Sequence, residues 1–143
     1  MSAERAPCFV DTNVVVYAFE KGDSPKKQTA GRLVTELMDT DRLRLSTQVL
    51  QELFVILTRK AALRCSGEEA VAVLEDLAAW PLTVVDFPVI RAAAGLSGKA
   101  SLSFWDSLVL VSAAKSGSSV LYTEDLNDGQ EILGVRIANP FTA

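Results

Sequence analysis

Histidine is absent from the 143 residues. That excludes a Ser-His-Asp hydrolase, a nuclease with a histidine base and a zinc centre ligated by imidazole. Cysteine is nearly absent too: Cys8 and Cys65 lack the spacing of thiolate metal sites, and they read as reduced packing residues of a cytoplasmic protein. With nitrogen and sulfur donors so scarce, a bound metal would be held by oxygen, which selects hard cations such as magnesium or manganese. No apolar run approaches the roughly 20 residues of a membrane helix. The start, MSAERAPC, has neither the basic region nor the long apolar stretch of a secretion signal. Repeats, low-complexity segments and linkers are also missing.

What is present is a chain with 49% hydrophobic residues, enough for a full core in one domain spanning residues 1–143. Its net charge of −4 is uneven. Residues 1–20 carry net −2, and residues 65–143 carry net −6. Residues 21–64 hold nine basic against five acidic residues, net +4. Strand and helix signals alternate along the length. Cys8–Asp11 is apolar up to its last residue, and Val14–Phe19 makes a short helical turn. Ser24-Pro25 starts a helix that runs to about Met38, Ser as N-cap and Pro at the first helical position. Leu43–Ser46 is a strand and Gln48–Arg59 an amphipathic helix. Ser66-x-x-Glu69 is a capping box opening a helix that ends near Trp80-Pro81. Leu82–Asp86 reads as a strand. Pro88–Leu96 reads as a helix, broken by Gly95 and Gly98. Ser103–Lys115 is an apolar helix closed by Gly117. Ser119–Thr123 and Val135–Ala138 are strands. This alternation, with strands apolar on both faces, predicts a parallel sheet covered by helices on both sides.

Four carboxylates stand where packing alone does not ask for them. Asp11 ends a core strand, flanked by Thr12 and Asn13. Glu52 sits at the boundary of the apolar face of its helix, with Val49 and Ile56 on one side and Gln48 and Arg59 on the other. Asp106 lies in the first turn of an almost wholly apolar helix, and Asp125 follows another core strand. Each has an ordinary reading as well: N-cap for Asp11, surface glutamate for Glu52, capping-box member for Asp106, and turn residue for Asp125 beside Asp128-Gly129. Parallel strands share a direction, however, so Asp11 and Asp125 should emerge at one sheet edge, the edge where such sheets bind ligands. Glu52 and Asp106 read as opening helices that start at the same edge. Carboxylates gathered there repel, and some stay protonated unless a cation compensates.

In their order and spacing, FVDTNVVVYAF, STQVLQELF, SFWDSLVLVSA and LYTEDLNDGQEILGVRIANPF resemble the PIN-domain ribonucleases, and most the VapC toxins of toxin–antitoxin systems. The resemblance runs over nearly the whole chain. It implies a three-layer α/β/α sandwich with a central parallel sheet. It carries over Asp11, Glu52, Asp106 and Asp125 as an acidic quartet holding Mg2+ or Mn2+, with Asp128 as a lower-ranked further ligand and Thr12, Asn13 and Thr123 as supports. The implied activity is metal-dependent endonucleolytic hydrolysis of RNA, such as tRNA or ribosomal RNA. The implied partners are a cognate antitoxin and a second copy of the chain. Lys26, Lys27, Arg32, Arg42, Arg44, Arg59, Lys60 and Arg64 are candidates for substrate phosphates. The helices Pro25–Met38 and Gln48–Arg59 are candidates for the antitoxin groove. Few aromatics read as free to stack on bases. A phosphoacceptor receiver, with Asp86 as acceptor, lacks the paired acids after the first strand and the lysine after the last. An aspartate-nucleophile phosphatase wants an acid where Asn13 stands. The alternative that survives is a PIN fold kept only for binding.

Overall fold

The computed structural model describes residues 6–60 and 63–142. The charges and leader features read at Met1–Arg5 lie outside them. Among the described residues, six strands form one sheet: β1 (Cys8–Val10), β2 (Leu43–Ser46), β3 (Leu82–Thr83), β4 (Val120–Tyr122), β5 (Glu131–Ile132) and β6 (Val135–Ala138). Their order is β3-β2-β1-β4-β6-β5. All neighbours are parallel except β5, which runs antiparallel to β6 at the edge. Cys8 is in register with Leu43 on one side and Val120 on the other.

The helices are α1 (Thr12–Phe19), α2 (Pro25–Asp39), α3 (Thr47–Arg59), α4 (Gly67–Leu77), α5 (Phe87–Ala100) and α6 (Phe104–Lys115). The chain steps outward from β1 to β2 to β3, then jumps back across β1 to β4. Right-handed crossovers therefore put α1 to α4 on one face and α5 and α6 on the other. In keeping with this, α5 packs on α6, and α6 packs on β2, β4 and β6. The result is the expected α/β/α sandwich. The strand order reverses between β1 and β4, the position where open α/β sheets leave a crevice at the strand ends.

The core is continuous through both layers. Phe9, Leu45, Leu53, Leu110, Leu121 and Ile137 are fully buried, each side chain contributing roughly 1.5–3 kcal/mol over an exposed position. Both thiols are free, and burial raises the Cys8 thiol above its ordinary pKa. No helix of the described residues is long and apolar enough to cross a membrane.

Capping chemistry sets the helix starts where the sequence indicates. The Ser24 hydroxyl accepts from Lys27 N–H, and Ser66 and Glu69 form a reciprocal capping box. Gly117 follows α6 with φ +77. Elsewhere the structure departs from expectation. α4 stops at Leu77 rather than near Trp80. β3 is only Leu82–Thr83, because Asp86 serves as the N-cap of α5, accepting from Val89 N–H, and the chain must turn before it. Gly95 and Gly98 do not break α5, which runs through both to Ala100 and ends at Ser101 with φ 55. Buried Val89 and Ala93 hold that helix against α6, outweighing the roughly 1 kcal/mol that each glycine costs. β5 was not expected. It pairs with β6 through a tight turn at Leu133 (φ 55) and Gly134 (φ 77), the two positive φ values of a type I′ hairpin.

Candidate active site

β1 ends at Val10, and Asp11 begins α1 as its N-cap. Asp11 Oδ1 accepts from Thr12 N–H at 2.8 Å, and Oδ2 accepts from the Thr123 hydroxyl at 2.9 Å. Asp11 is therefore an N-cap whose side chain also lines a cleft. Thr123 follows β4, the strand paired to β1, so the bond spans the switch point. The Thr123 hydroxyl also accepts from Asp125 N–H at 3.2 Å and from Asn13 Nδ2 at 3.4 Å. Thr12 donates its hydroxyl to Glu52 Oε1 at 3.1 Å. Thr12, Asn13 and Thr123 thus tie Asp11, Glu52 and the Asp125 loop into one network.

Asp106 reaches the same place from the other helical layer. α6 runs down into β4, so its N-terminus lies at the carboxyl edge of the sheet. The Ser103 hydroxyl accepts from Asp106 N–H at 3.0 Å. In α4 the Glu69 carboxylate returns the favour to Ser66 N–H, but among the described residues Asp106 makes no such return bond. Its carboxylate instead lines a cleft of about 220 Å³ together with Asp11, Glu52 and Asp125. Glu52 does not open a helix as expected. It lies in the middle of α3 and reaches the cleft because Gln48, Glu52 and Ile56, spaced four apart, share a face. Asp128 stays out of this cleft: its Oδ1 accepts from Asn139 N–H at 2.8 Å, and the residue is exposed.

Burial sets the electrostatics. Asp11 is 7% exposed. Its carboxyl is pushed up to about 6, by desolvation first, against the hydrogen bonds from Thr123 and Thr12, and with added repulsion from Glu52 and Asp125. Desolvation also raises Glu52, opposed by hydrogen bonds from Thr12 and Gln48 and reinforced by the charges of Asp125 and Asp106. Two amide oxygens lining the cleft, Asn13 Oδ1 and Gln48 Oε1, are buried without a hydrogen-bond partner. Four carboxylates that repel one another and two orphaned amide oxygens, beside the apolar Ile56, Trp105 and Val109, fit a hard cation in donor chemistry. Among the described residues, no three acidic or thiol side chains stand close enough to clasp an ion as they are. The donors match; their spacing is that of an open cleft.

Gln48, Ile56, Trp105 and Val109 also line the cleft and were not singled out as site residues. The four-residue spacing from Gln48 to Glu52 to Ile56 was the available signal for two of them. A second, apolar groove of about 500 Å³ adjoins it, sharing Asn13 and Ile56. It lies between α1 (Val16, Tyr17) and α3 (Val55, Arg59), so of the two helices offered for an antitoxin groove only Gln48–Arg59 lines it. Several cationic candidates are already engaged: Lys60 pairs with Glu20 at 2.9 Å, and the Arg44 guanidinium bonds the carbonyls of Asp41 and Leu43. Lys26 Nζ meets Glu124 at 2.9 Å and the Tyr17 hydroxyl at 3.3 Å, and sits over the rings of Tyr17 and Phe141. Asp86 pairs with Lys115 at 3.6 Å.

The PIN domain family model matches residues 8–127. The chain belongs to the PIN domain family. Among solved structures, this PIN domain is similar to a toxin–antitoxin complex from Klebsiella pneumoniae: 15% identity, TM-score 0.70, covering 95% of this chain and 99% of that one. It is similar to DNA-bound VapBC from Salmonella typhimurium, with 20% identity, TM-score 0.64 and coverage of 94% and 98%. It is also similar to VapC20 of Mycobacterium tuberculosis, described as a sarcin-ricin-loop-cleaving toxin, with 21% identity, TM-score 0.61 and coverage of 80% and 86%. No curated protein sequence matches it significantly.

Proposed function

We infer that this PIN domain is a metal-dependent endoribonuclease and the toxin of a toxin–antitoxin pair. The observation that carries the reading is the set of four carboxylates lining one cleft at the strand-order switch point. The structural relatives, a VapBC complex and an RNA-loop-cleaving toxin among them, support it.

Asp11, Glu52, Asp106 and Asp125 would hold Mg2+ or Mn2+. The ion, when bound, supplies an acidified water and offsets negative charge on the reacting phosphate. The chain's own residues set the stage for it. Thr123 and Thr12 N–H fix both oxygens of Asp11, and Thr12 fixes Glu52. In this metal-dependent reading the attacking group is water and not the 2′-hydroxyl, which fits the missing histidines, and the expected products carry 5′-phosphate and 3′-hydroxyl ends. Arg59, at the rim of the adjoining groove, is the cation we assign to the substrate backbone. The apolar floor of that groove suits an antitoxin segment. Exposed Val84 (60%), Phe87 (64%) and Ile90 (39%) offer a surface to a second copy of the chain.

Asp106 does not stabilise the folded chain through a capping bond, so its replacement separates chemistry from folding. Asp106→Asn should keep the thermal transition and lose magnesium-dependent cleavage of RNA. Cleavage unchanged in this variant would falsify the quartet, whereas a wild type that neither binds magnesium nor cleaves RNA would favour a PIN fold kept only for binding.

A further inference from the structure

The catalytic reading leaves one feature of the cleft unused. Trp105, beside Asp106 in the first turn of α6, lines the cleft yet is 65% exposed. Among the described residues, large apolar side chains at that exposure are few, and Trp105 is the bulkiest of them. It is also held in place. Its ring meets Phe104 edge-on, with centroids 5.4 Å apart and planes at 73°. Phe104 in turn packs against the small cluster of Val89, Ala93 and Leu108. An indole braced by an edge-to-face contact with Phe104 and two-thirds exposed beside four carboxylates is not a core residue. Among the described residues, the lysine and arginine groups that lie over rings do so at Tyr17, Phe141 and Phe87 and not at Trp105.

We propose that Trp105 is a stacking platform for one nucleobase of the RNA, positioning the phosphate next to that base over the acidic cleft. This inference rests on the nuclease reading above. Every base offers a π-face to an indole, and stacking of this kind is sequence-tolerant. The layout gives the substrate a path. Trp105 stands on the α6 side of the cleft, and Asn13 and Ile56 connect the cleft to the groove bearing Arg59. A strand held by its base at Trp105 and by its backbone near Arg59 would cross the carboxylates between them. Anchoring by a base matters here because the carboxylates repel the phosphates that a nuclease must bring close. Trp105 is a positioning residue, acting on the base and not on the reacting phosphate.

The chain has two tryptophans, and Trp80 does not line the cleft. Trp80→Phe therefore makes Trp105 the sole indole reporter. In EDTA, titration with an eight-nucleotide oligoadenylate should quench its fluorescence. Trp105→Ala should weaken binding of that oligonucleotide by about 5- to 100-fold, the range of one stacked base, and Trp105→Phe should recover part of it. An oligonucleotide of abasic residues should bind the wild type as weakly as oligoadenylate binds Trp105→Ala. With magnesium, the Trp105→Ala loss should appear in KM and not in kcat. Absent quenching, or equal oligoadenylate affinity of Trp105→Ala and wild type, overturns the proposal. So does quenching that follows protein concentration without RNA, which would mean that a second copy covers the ring. Quenching by oligoadenylate in a wild type that cleaves no RNA would instead sink the nuclease reading and leave the stacking platform standing.

Discussion

Asp11→Asn gives the sharpest test of the site, because its effect on stability should change sign with pH. The Asp11 carboxyl is raised from 3.8 to about 6 in the folded chain. A folded-state pKa above the unfolded value means stability that is full below about 3.8 and lost as pH rises through about 6. Keeping Asp11 ionised in its buried place then costs about 3 kcal/mol at pH 8 and roughly half that at pH 5. Asparagine removes this cost but spoils one bond. The Thr123 hydroxyl already accepts from Asp125 N–H and Asn13 Nδ2, and it donates to Asp11 Oδ2. If Nδ2 of the new amide faces it, a third donor replaces the acceptor, a loss of about 1 kcal/mol. The variant should therefore be more stable than wild type by about 2 kcal/mol at pH 8 and by about 0.5 kcal/mol at pH 5, equal to it at about pH 4.5, and slightly less stable at pH 4. Urea unfolding in EDTA across this range reads the difference directly, and titrations shared by the two proteins cancel. A variant destabilised by the same amount at every pH would show that Asp11 is comfortably ionised in the fold, and the argument from crowded carboxylates would collapse. Magnesium adds a control: it should raise the midpoint of the wild type at pH 8 and leave the variant nearly unmoved.

Further outcomes follow from other parts of the chain. Thr123→Ala releases both Asp11 Oδ2 and the Asp125 amide, and should lower metal affinity or cleavage by about 10- to 100-fold, measured by magnesium titration of activity. Gly95 and Gly98 sit in α5 with nothing within 4 Å of an added Cβ. Alanine at each should stabilise by about 0.5–1 kcal/mol, a gain visible in the unfolding midpoint and absent if α5 is frayed there. Phe87→Lys, at 64% exposure, should shift a dimer to monomer in light scattering without lowering the melting temperature; a monomeric wild type would remove that surface from consideration.

The residues that carried most information were those whose local role is fixed by backbone chemistry. Ser24, Ser66 and Ser103 announce helix starts because a hydroxyl just before a helical run has one good use, and all three cap as read. Asp11 and Asp125 could be placed at one edge from strand direction alone. Glu52 was harder. Its reach into the cleft depends on how far α3 runs back along the sheet, which no local pattern encodes. β5 escaped notice because its turn puts Leu133, not Asn or Asp, at positive φ, so the strongest hairpin signal is missing. Gly95 and Gly98 misled in the opposite sense, since a tertiary contact with α6 overrides a local preference. Trp105 is a case of its own: exposure cannot be read from an apolar helix sequence in which neighbouring Leu108 and Leu110 are buried.

The ammonium of Lys26 joins the neighbouring helices α1, through Tyr17, and α2 to two distant parts of the chain, Glu124 beside Asp125 and Phe141. It behaves as a latch. Local opening of the segment 139–142 and of the Glu124–Asp125 loop should be one event, with amide exchange in the two rising together when that single amine is neutralised.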